Sequence, residues 1–419
     1  MDVALMLCYF FPPIGGGGVQ RSTKFAKYLP AHGWRPAIVA AKPNGRNVIE
    51  NGRDESLLSD VLPGTEVVRT ASVEFAGIFA LLNRLRARKL IVNAERMIPL
   101  LPTNYKIGWY PSALRAARRI ASTGNVGVIY SSSPPYSAHF VARALQRERS
   151  IPWVADFRDA WTQIATYRPP WQAHARLERR LEGGILRDAD VVIANTPRNR
   201  QAMIDAFGIS ANKISVIPNG FDPADFETAT PVPIDLSRFR VTCLGNFYEM
   251  PHADRFFRAF RRFADDQPEA SLSLYGWQAR GVRNAAESLL LPGTWHRSDR
   301  IDHNEAVRVM RASSVLLANL PNENARHWVP GKLYEYMAAG RPVLFIGPSD
   351  GDAAAVIREA GAGEVVCNDE DHIYNSLLRL YRAWQKGDWS PHGSALQRFD
   401  RRVQTALLAR IFDTVAGRS

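Results

Sequence analysis

Cysteine is scarce in this sequence: three in 419 residues, Cys8, Cys243 and Cys367, odd in number, far apart and without metal-ligand spacing. That usage argues against a disulfide framework and against a zinc site, and places the chain in a reducing compartment. Long apolar runs are missing as well. The longest beside a charge cluster, Phe75 to Leu82, is far short of the ~20 residues that a membrane-spanning helix needs. The opening Met-Asp-Val-Ala-Leu-Met-Leu-Cys-Tyr-Phe carries an acidic second residue and no basic segment, so no secretion signal is read there. A cytoplasmic protein, at most peripheral on the inner face of the membrane, is expected. The chain also lacks a Walker-type phosphate loop, any low-complexity tract, and an Asp-x-Asp in a loop suited to a metal ion, and no metal site is predicted.

What is present is ordinary globular composition, 46% hydrophobic and 22% charged, in a chain too long for one core. Two domains follow. The net charge of +12 is uneven: residues 1–230 hold 29 Lys and Arg against 19 Asp and Glu, the remainder 24 against 22. A basic first half suits an anionic partner, either a membrane surface or an anionic acceptor. Nucleic acid is not expected, because the basic residues are spread along helices rather than interleaved with stacking aromatics on one face. The segment from Glu74 to Val92 interleaves Phe75, Ile78, Leu82 and Leu85 with Arg84, Arg86, Arg88 and Lys89. It reads either as a lipid-facing helix or as a cap helix with a solvated basic face.

Strand-like apolar runs alternate with amphipathic helical patterns throughout, which predicts parallel α/β sheets. In residues 1–227 the strands are Val3 to Phe11, Pro36 to Ala41, Glu66 to Arg69, Val126 to Tyr130, Trp153 to Ala155, Val191 to Ala194 and Ile214 to Ile217. Residues 228–236 read as a linker. A second series in 237–396 has strands at Val241 to Gly245, Leu272 to Gly276, Val315 to Leu320, Val343 to Gly347 and Glu364 to Val366. Residues 397–419 form a last helix. In doubly wound sheets ligands bind beyond the carboxyl ends of the strands, so the loops that follow strands are the candidates for chemistry.

Four such loops stand out. Gly15, Gly16, Gly17 and Gly18 follow the first strand and open a helix, a side-chain-free wall against which a substrate can lie. Ser132, Ser133 and His139 flank a Ser-Pro-Pro turn, His139 reading also as a packed histidine. Asp156 and Asp159 flank Arg158 beyond a strand end; one carboxylate is expected to face a ligand or act as a base, the other to pair with an arginine. The fourth candidate loop leads into Pro330-Gly331-Lys332-Leu333-Tyr334-Glu335, a helix start whose free N–H groups and lysine suit a diphosphate and whose glutamate, one turn in, suits paired ribose hydroxyls. His327, eight positions earlier, reads as a ligand contact or a loop cap.

Taken together, Pro-Pro-Ile-Gly-Gly-Gly-Gly-Val-Gln-Arg (12–21), Ser-Ser-Ser-Pro-Pro-Tyr-Ser-Ala-His (131–139), Asp-Phe-Arg-Asp-Ala-Trp (156–161), Pro-Asn-Gly-Phe-Asp (218–222) and Pro-Gly-Lys-Leu-Tyr-Glu-Tyr-Met-Ala-Ala-Gly-Arg-Pro-Val-Leu (330–344) are specific in order and spacing. The chain resembles, end to end, the retaining nucleotide-sugar glycosyltransferases of family 4, which have the GT-B fold of two Rossmann-like domains facing a cleft. The resemblance implies an acceptor-binding first domain, a donor-binding second domain and a last helix returning to the first. It implies donor contacts at Gly17, Gly18, Arg21, Gly245, Asn246, Gly331, Lys332 and Leu333, with Glu335 on the ribose as the second glutamate of the family's Glu-x7-Glu. It implies acceptor contacts at Gly15, Gly16, Ser132, Ser133 and His139. Two departures are visible. The motif's first glutamate is His327 here, still expected at the donor, and the family's common catalytic-region histidine falls near Arg158 or Asp159, so that Asp156, Arg158 and Asp159 are the expected catalytic residues. The implied reaction moves a sugar from a nucleotide-diphosphate donor, as co-substrate and without a further cofactor, to a glycan or polyprenyl-diphosphate-linked acceptor of cell-envelope polysaccharide. Glycosylation of a small-molecule natural product, or a sugar-nucleotide epimerase on the same fold, are the alternatives.

Overall fold

The structure is a computed structural model that describes residues 1–43, 52–72, 105–164, 167–169, 171–227, 237–321, 323–388 and 394–418. It divides into two compact units, Met1–Pro218 with Gln404–Ser419, and Asn219–Val403. The division falls at Pro218, ahead of the expected linker, and the helix Arg401–Ala416 ends in the first unit. The linker 228–236 and the basic segment from Glu74 to Val92 lie outside the described residues.

The first unit is built on a seven-stranded parallel sheet in the order β3-β2-β1-β4-β5-β6-β7. Its strands are β1 (Asp2–Cys8), β2 (Trp34–Ala41), β3 (Glu66–Thr70), β4 (Val126–Ser133), β5 (Trp153–Phe157), β6 (Val191–Ala194) and β7 (Ile214–Val216). Side chains of a strand alternate between faces, and here both faces are covered, so β1 is apolar at every position from Val3. Val3, Leu5 and Leu7 join a cluster with Ala113, Ala117 and Val141 from the helices Tyr110–Thr123 and Ser137–Arg149. Ala4, Met6 and Cys8 join another with Phe25 of the helix Gly17–Tyr28 and with Leu408, Ala409 and Phe412 of the last helix. Trp34 secures that helix, donating from Nε1 to Asp413 at 3.0 Å.

The second unit carries a six-stranded parallel sheet, β10-β9-β8-β11-β12-β13, from β8 (Phe239–Leu244), β9 (Ala270–Tyr275), β10 (Trp295–Ser298), β11 (Val315–Asn319), β12 (Val343–Ile346) and β13 (Gly363–Val366). The helix Asp254–Asp266 turns Phe256, Phe257, Phe260 and Phe263 into its core. Two doubly wound parallel-sheet domains are therefore present, as the alternating pattern predicts. Two elements differ from expectation. β10 was not anticipated: it is an edge strand whose His296 and Arg297 are exposed, so it lacks an apolar run. β4 runs through the serines read as a turn, pairing Ser131, Ser132 and Ser133 with Ala155, Asp156 and Phe157, because their hydroxyls find partners inside the sheet.

In each sheet the chain leaves in one direction and resumes on the other side of its starting strand. The reversal lies between β1 and β4 in the first sheet and between β8 and β11 in the second. At such a point the loops from adjacent carboxyl ends diverge and leave a crevice.

Candidate functional site

At the reversal in the second unit, the loop after β8 begins with Gly245 and Asn246, both exposed. Gly245 takes φ 77°, a conformation that favours glycine. The neighbouring loop after β9 presses against it: a Cβ on Gly276, itself at φ 98°, would stand 3.0 Å from the Gly245 carbonyl oxygen. Asn319, fully buried at the end of β11, fixes the same loop by accepting from the Tyr248 N–H (3.1 Å) and donating to the Tyr248 carbonyl (2.7 Å).

The helix Gly331–Ala338 is docked onto this frame by Tyr336, whose hydroxyl accepts from the Leu244 N–H at 2.8 Å and donates to the Leu244 carbonyl at 3.3 Å. That docking sets Lys332 beside the β8 loop, where Nζ donates to the Asn246 carbonyl at 2.8 Å. A Cβ added at Gly331 would meet nothing within 4 Å. Open space thus lies beside the Gly331 α-carbon at the start of a helix, next to an ammonium group. Backbone donors and a cation in that arrangement suit an anion, above all a diphosphate. Leu333 does not share this role: its N–H is taken by the Pro330 carbonyl at 3.0 Å and its side chain is in the core. Glu335 is partly buried one turn further on, with Oε1 3.8 Å from Nδ1 of His303. His327 sits half-buried between the short turn Glu323–Ala325 and this helix. An Asp-x-Asp does follow β12, at Asp350 and Asp352, but Arg326 pairs with Asp350 at 2.8 Å and Asp352 is buried at a helix start.

The corresponding residues of the first unit are enclosed. Asp156 is fully buried and receives Arg21 through two bonds, Nε at 2.8 Å and Nη2 at 2.9 Å, with Tyr130 OH at 2.5 Å and Ser132 Oγ at 3.3 Å. Burial alone would raise this carboxyl, but the Arg21 charge and hydrogen bonds hold it below the usual range. Arg21 gives two further N–H groups to the carbonyls of Pro218 (2.7 Å) and Ile217 (3.0 Å). The expectation that Arg21 meets a diphosphate is corrected: its guanidinium is buried and committed within the first unit.

His139 is likewise a packed residue. Its ring lies 4.5 Å from that of Phe157, Nδ1 is 2.7 Å from Ser131 Oγ and Nε2 is 2.8 Å from Ser133 Oγ. Burial pushes its pKa down to about 3, so it is neutral. Ser132, Ser133 and His139 are thereby occupied with one another and with Asp156, and not presented to an acceptor. Arg158 bonds the carbonyls of Ser133, Gly18 and Pro134, crossing close over the α-carbon of Gly18, which leaves no room for a side chain there. In the glycine run, Gly15 gives its N–H to the Gly52 carbonyl, Gly16 caps the helix at φ 101°, Gly17 begins it, and Gly18 is exposed. Asp159 is half-buried, the least enclosed of the three residues singled out after β5.

Two supports were not read from sequence. Glu182, buried on the helix Gln172–Asp188, accepts from the Trp161 and Thr162 N–H groups and from Thr162 Oγ1 at 2.6 Å, fastening the loop that carries Asp159. Burial raises its carboxyl despite those bonds. His303 lies between Glu335 and Asp225, with Nε2 2.9 Å from Asp225 Oδ2. Neither residue stands in a recognisable motif. Glu182 lies within an amphipathic helix and His303 at the start of one, where a polar residue on an apolar face is the available signal.

The family model for Glycosyltransferase Family 4 matches residues 15–225, and that for Glycosyl transferases group 1 matches residues 238–383. No curated protein matches the sequence. Among solved structures, sucrose-phosphate synthase (tll1590) from Thermosynechococcus elongatus superposes with a TM-score of 0.68 at 16% identity, covering 99% of each chain. Anabaena Alr3699/HepE in complex with UDP-glucose gives 0.63 at 16% identity, covering 99% of this chain and 100% of that one. A glycosyltransferase from Rickettsia africae ESF-5 gives 0.65 at 15% identity, with 100% and 99% covered. At such identities the superpositions establish the fold, GT-B. With one family model spanning half the chain and the other most of the remainder, the chain belongs to the glycosyltransferases.

Proposed function

We propose that this glycosyltransferase draws its sugar from a nucleoside-diphosphate donor held by the second unit. The observation that carries this reading is the helix start at Gly331 and Lys332, with open space beside the Gly331 α-carbon and the exposed Gly245–Asn246 loop next to Lys332. The Anabaena protein's structures hold UDP-glucose, UDP with glucose, and UDP, which supports a uridine nucleotide as the first to try. As the sugar–diphosphate bond breaks, positive charge develops at the anomeric carbon and negative charge on the leaving diphosphate. In this reading Lys332 Nζ and the N–H groups of Gly331 and Lys332 meet that negative charge, and a preorganised donor set of this kind lowers the barrier without reorganising. Glu335 would hold the ribose. The acceptor is a hydroxyl of a glycan or a polyprenyl-diphosphate-linked glycan, met by the first unit near Gly18 and Asp159, with retention of anomeric configuration, as the family resemblance implies. The basic first half supports an anionic acceptor and a peripheral place on the inner membrane face, in cell-envelope polysaccharide synthesis.

A thermal-shift screen with uridine, guanosine and thymidine diphosphates tests the donor reading. One nucleoside diphosphate should raise the melting temperature with saturation; no response to any of them would sink it. Because Lys332 and the helix start supply positive potential, transfer is expected to proceed without a divalent cation, and full loss of activity with chelator would refute that part.

A further inference from the structure

Three separate elements converge on one imidazole in the second unit. His303 is the first residue of the helix His303–Ala312, whose N-cap Asp302 accepts from the Glu305 N–H at 2.8 Å. Asp225, on the short helix Pro223–Glu227, places Oδ2 2.9 Å from His303 Nε2. Glu335, from the helix Gly331–Ala338, places Oε1 3.8 Å from Nδ1. The side chains of His303, Asp225 and Glu335 are only 8%, 15% and 16% exposed.

The chemistry of this row is restrictive. An imidazole between two carboxylates can offer an N–H to each only as the imidazolium; the 2.9 Å contact takes the proton on Nε2 and leaves Nδ1 toward Glu335. With the Asp225 contact made, the ring plane is fixed, and so is the edge that it turns to Glu335. A glutamate has three side-chain torsions. Alone at a helix surface it samples several rotamers, and a hydrogen bond to a ligand must first order it. A histidine anchored on its far side confines the carboxylate to one region and, when it carries a second proton, attracts it there.

We propose that His303, anchored by Asp225, is a positioning residue that presents the Glu335 carboxylate to the ribose hydroxyls of the donor. The inference rests on the reading that Glu335 meets the ribose. The arrangement resembles the support of metal-bound or catalytic histidines by a carboxylate, turned around: here a carboxylate anchors the histidine and the histidine orders a second carboxylate.

The readout is ribose discrimination, which a merely structural role of His303 would not change. Dissociation constants are measured by calorimetry for uridine and guanosine diphosphates and their 2′-deoxy forms, and the tighter-binding pair is used. The wild-type protein should favour the ribo form about tenfold, the range expected for a hydrogen bond to a charged group. Glu335→Gln should bring the ratio near one. His303→Leu should reduce it to threefold or less while the 2′-deoxy form binds within about twofold of wild type, and His303→Gln should restore part of it. Should His303→Leu fail to fold, Asp225→Asn, which keeps the contact but weakens the anchor, must lower the ratio as well. A ratio that stays near tenfold in these variants while Glu335→Gln abolishes it overturns the role of His303 alone. A wild-type protein without ribose preference, or a preference that survives Glu335→Gln, overturns the reading of Glu335 and the inference with it.

Discussion

The two units share one architecture and use its strand ends in opposite ways. In the first, the charged and polar residues after β1, β4 and β5 turn on one another: Arg21 on Asp156, Ser131 and Ser133 on His139, Arg158 on three carbonyls. In the second, the loops at the strand ends are exposed at Gly245 and Asn246 and leave room beside Gly331, with Lys332 bonded to the Asn246 carbonyl alongside. A charge beyond a strand end is therefore no signature of a binding site by itself. What separates the two cases is whether a partner of opposite charge or matching polarity lies within the same unit. Where it does, desolvating the pair and satisfying its hydrogen bonds makes a rigid frame. Where a cation is met by a carbonyl oxygen and a thiol rather than by a carboxylate, an anionic ligand is the natural complement.

Removing one member of the buried pair is the strongest way to break this comparison. Asp156→Asn leaves the Arg21 guanidinium buried without its counter-charge, and such a loss typically costs about 3–5 kcal/mol. Urea unfolding at neutral pH should show a loss of that order; a change near zero would return Asp156 to the list of presented carboxylates. In the second unit the opposite balance is expected. Lys332→Ala should leave unfolding nearly unchanged, since the lysine gives one bond to the Asn246 carbonyl and a weak one to Cys243 Sγ at 3.6 Å, and should weaken nucleoside-diphosphate binding by about 2 kcal/mol, roughly thirtyfold. Calorimetric titration checks it. Equal loss of stability and affinity would make Lys332 a structural staple like Arg21.

The difference between the units also marks how far the sequence could be read. Strand and helix positions followed from apolar runs and turn residues, because parallel strands covered on both faces leave an unmistakable pattern. β1, β6 and β12 lie within a few residues of expectation, and both sheets have the predicted class. β10 did not show itself, since an edge strand with one exposed face needs few apolar residues. The second unit's candidate site stood out in the sequence because its parts are local: Pro330 to Glu335 contains helix start, glycine, lysine and glutamate in one turn and a half. The first unit's polar residues misled for the converse reason. Arg21 and Asp156 are 135 positions apart, and His139 meets Ser131 and Ser133 across a proline turn, so their mutual satisfaction is a property of the sheet and not of any stretch. The same distance hid His303, which acquires significance only beside Asp225 and Glu335.

The buried histidine of the first unit gives a gentler probe than Asp156→Asn, because acid can be added gradually. Held neutral by burial at about 3, His139 in the folded state binds its proton far later than in the unfolded chain, where histidine titrates near 6.5. The unfolded state therefore carries more protons between these values, and stability rises with pH there. As pH falls below about 6.5, His139 should withdraw about 1.4 kcal/mol per pH unit from the stability of the first unit. His139→Gln should flatten that slope, by denaturant titrations at pH 7, 6 and 5. An unchanged slope would mean that the imidazole is not shielded, and that the enclosure described for this unit is incomplete.

The smallest expected effect on stability is also the most pointed test of the open side. Gly331 has ordinary backbone geometry at a helix start, and an added Cβ meets nothing within 4 Å. Alanine is the better helix former, so Gly331→Ala should change the unfolding free energy by less than about 0.5 kcal/mol, in either direction. The methyl group would nonetheless stand where a diphosphate must approach the leading N–H groups closely. Binding of the nucleoside diphosphate should weaken severalfold by calorimetry while the melting temperature of the free protein stays put. An affinity that is likewise unmoved would show that the ligand does not use this space, and the contrast between an enclosed first unit and an open second one would lose its functional meaning.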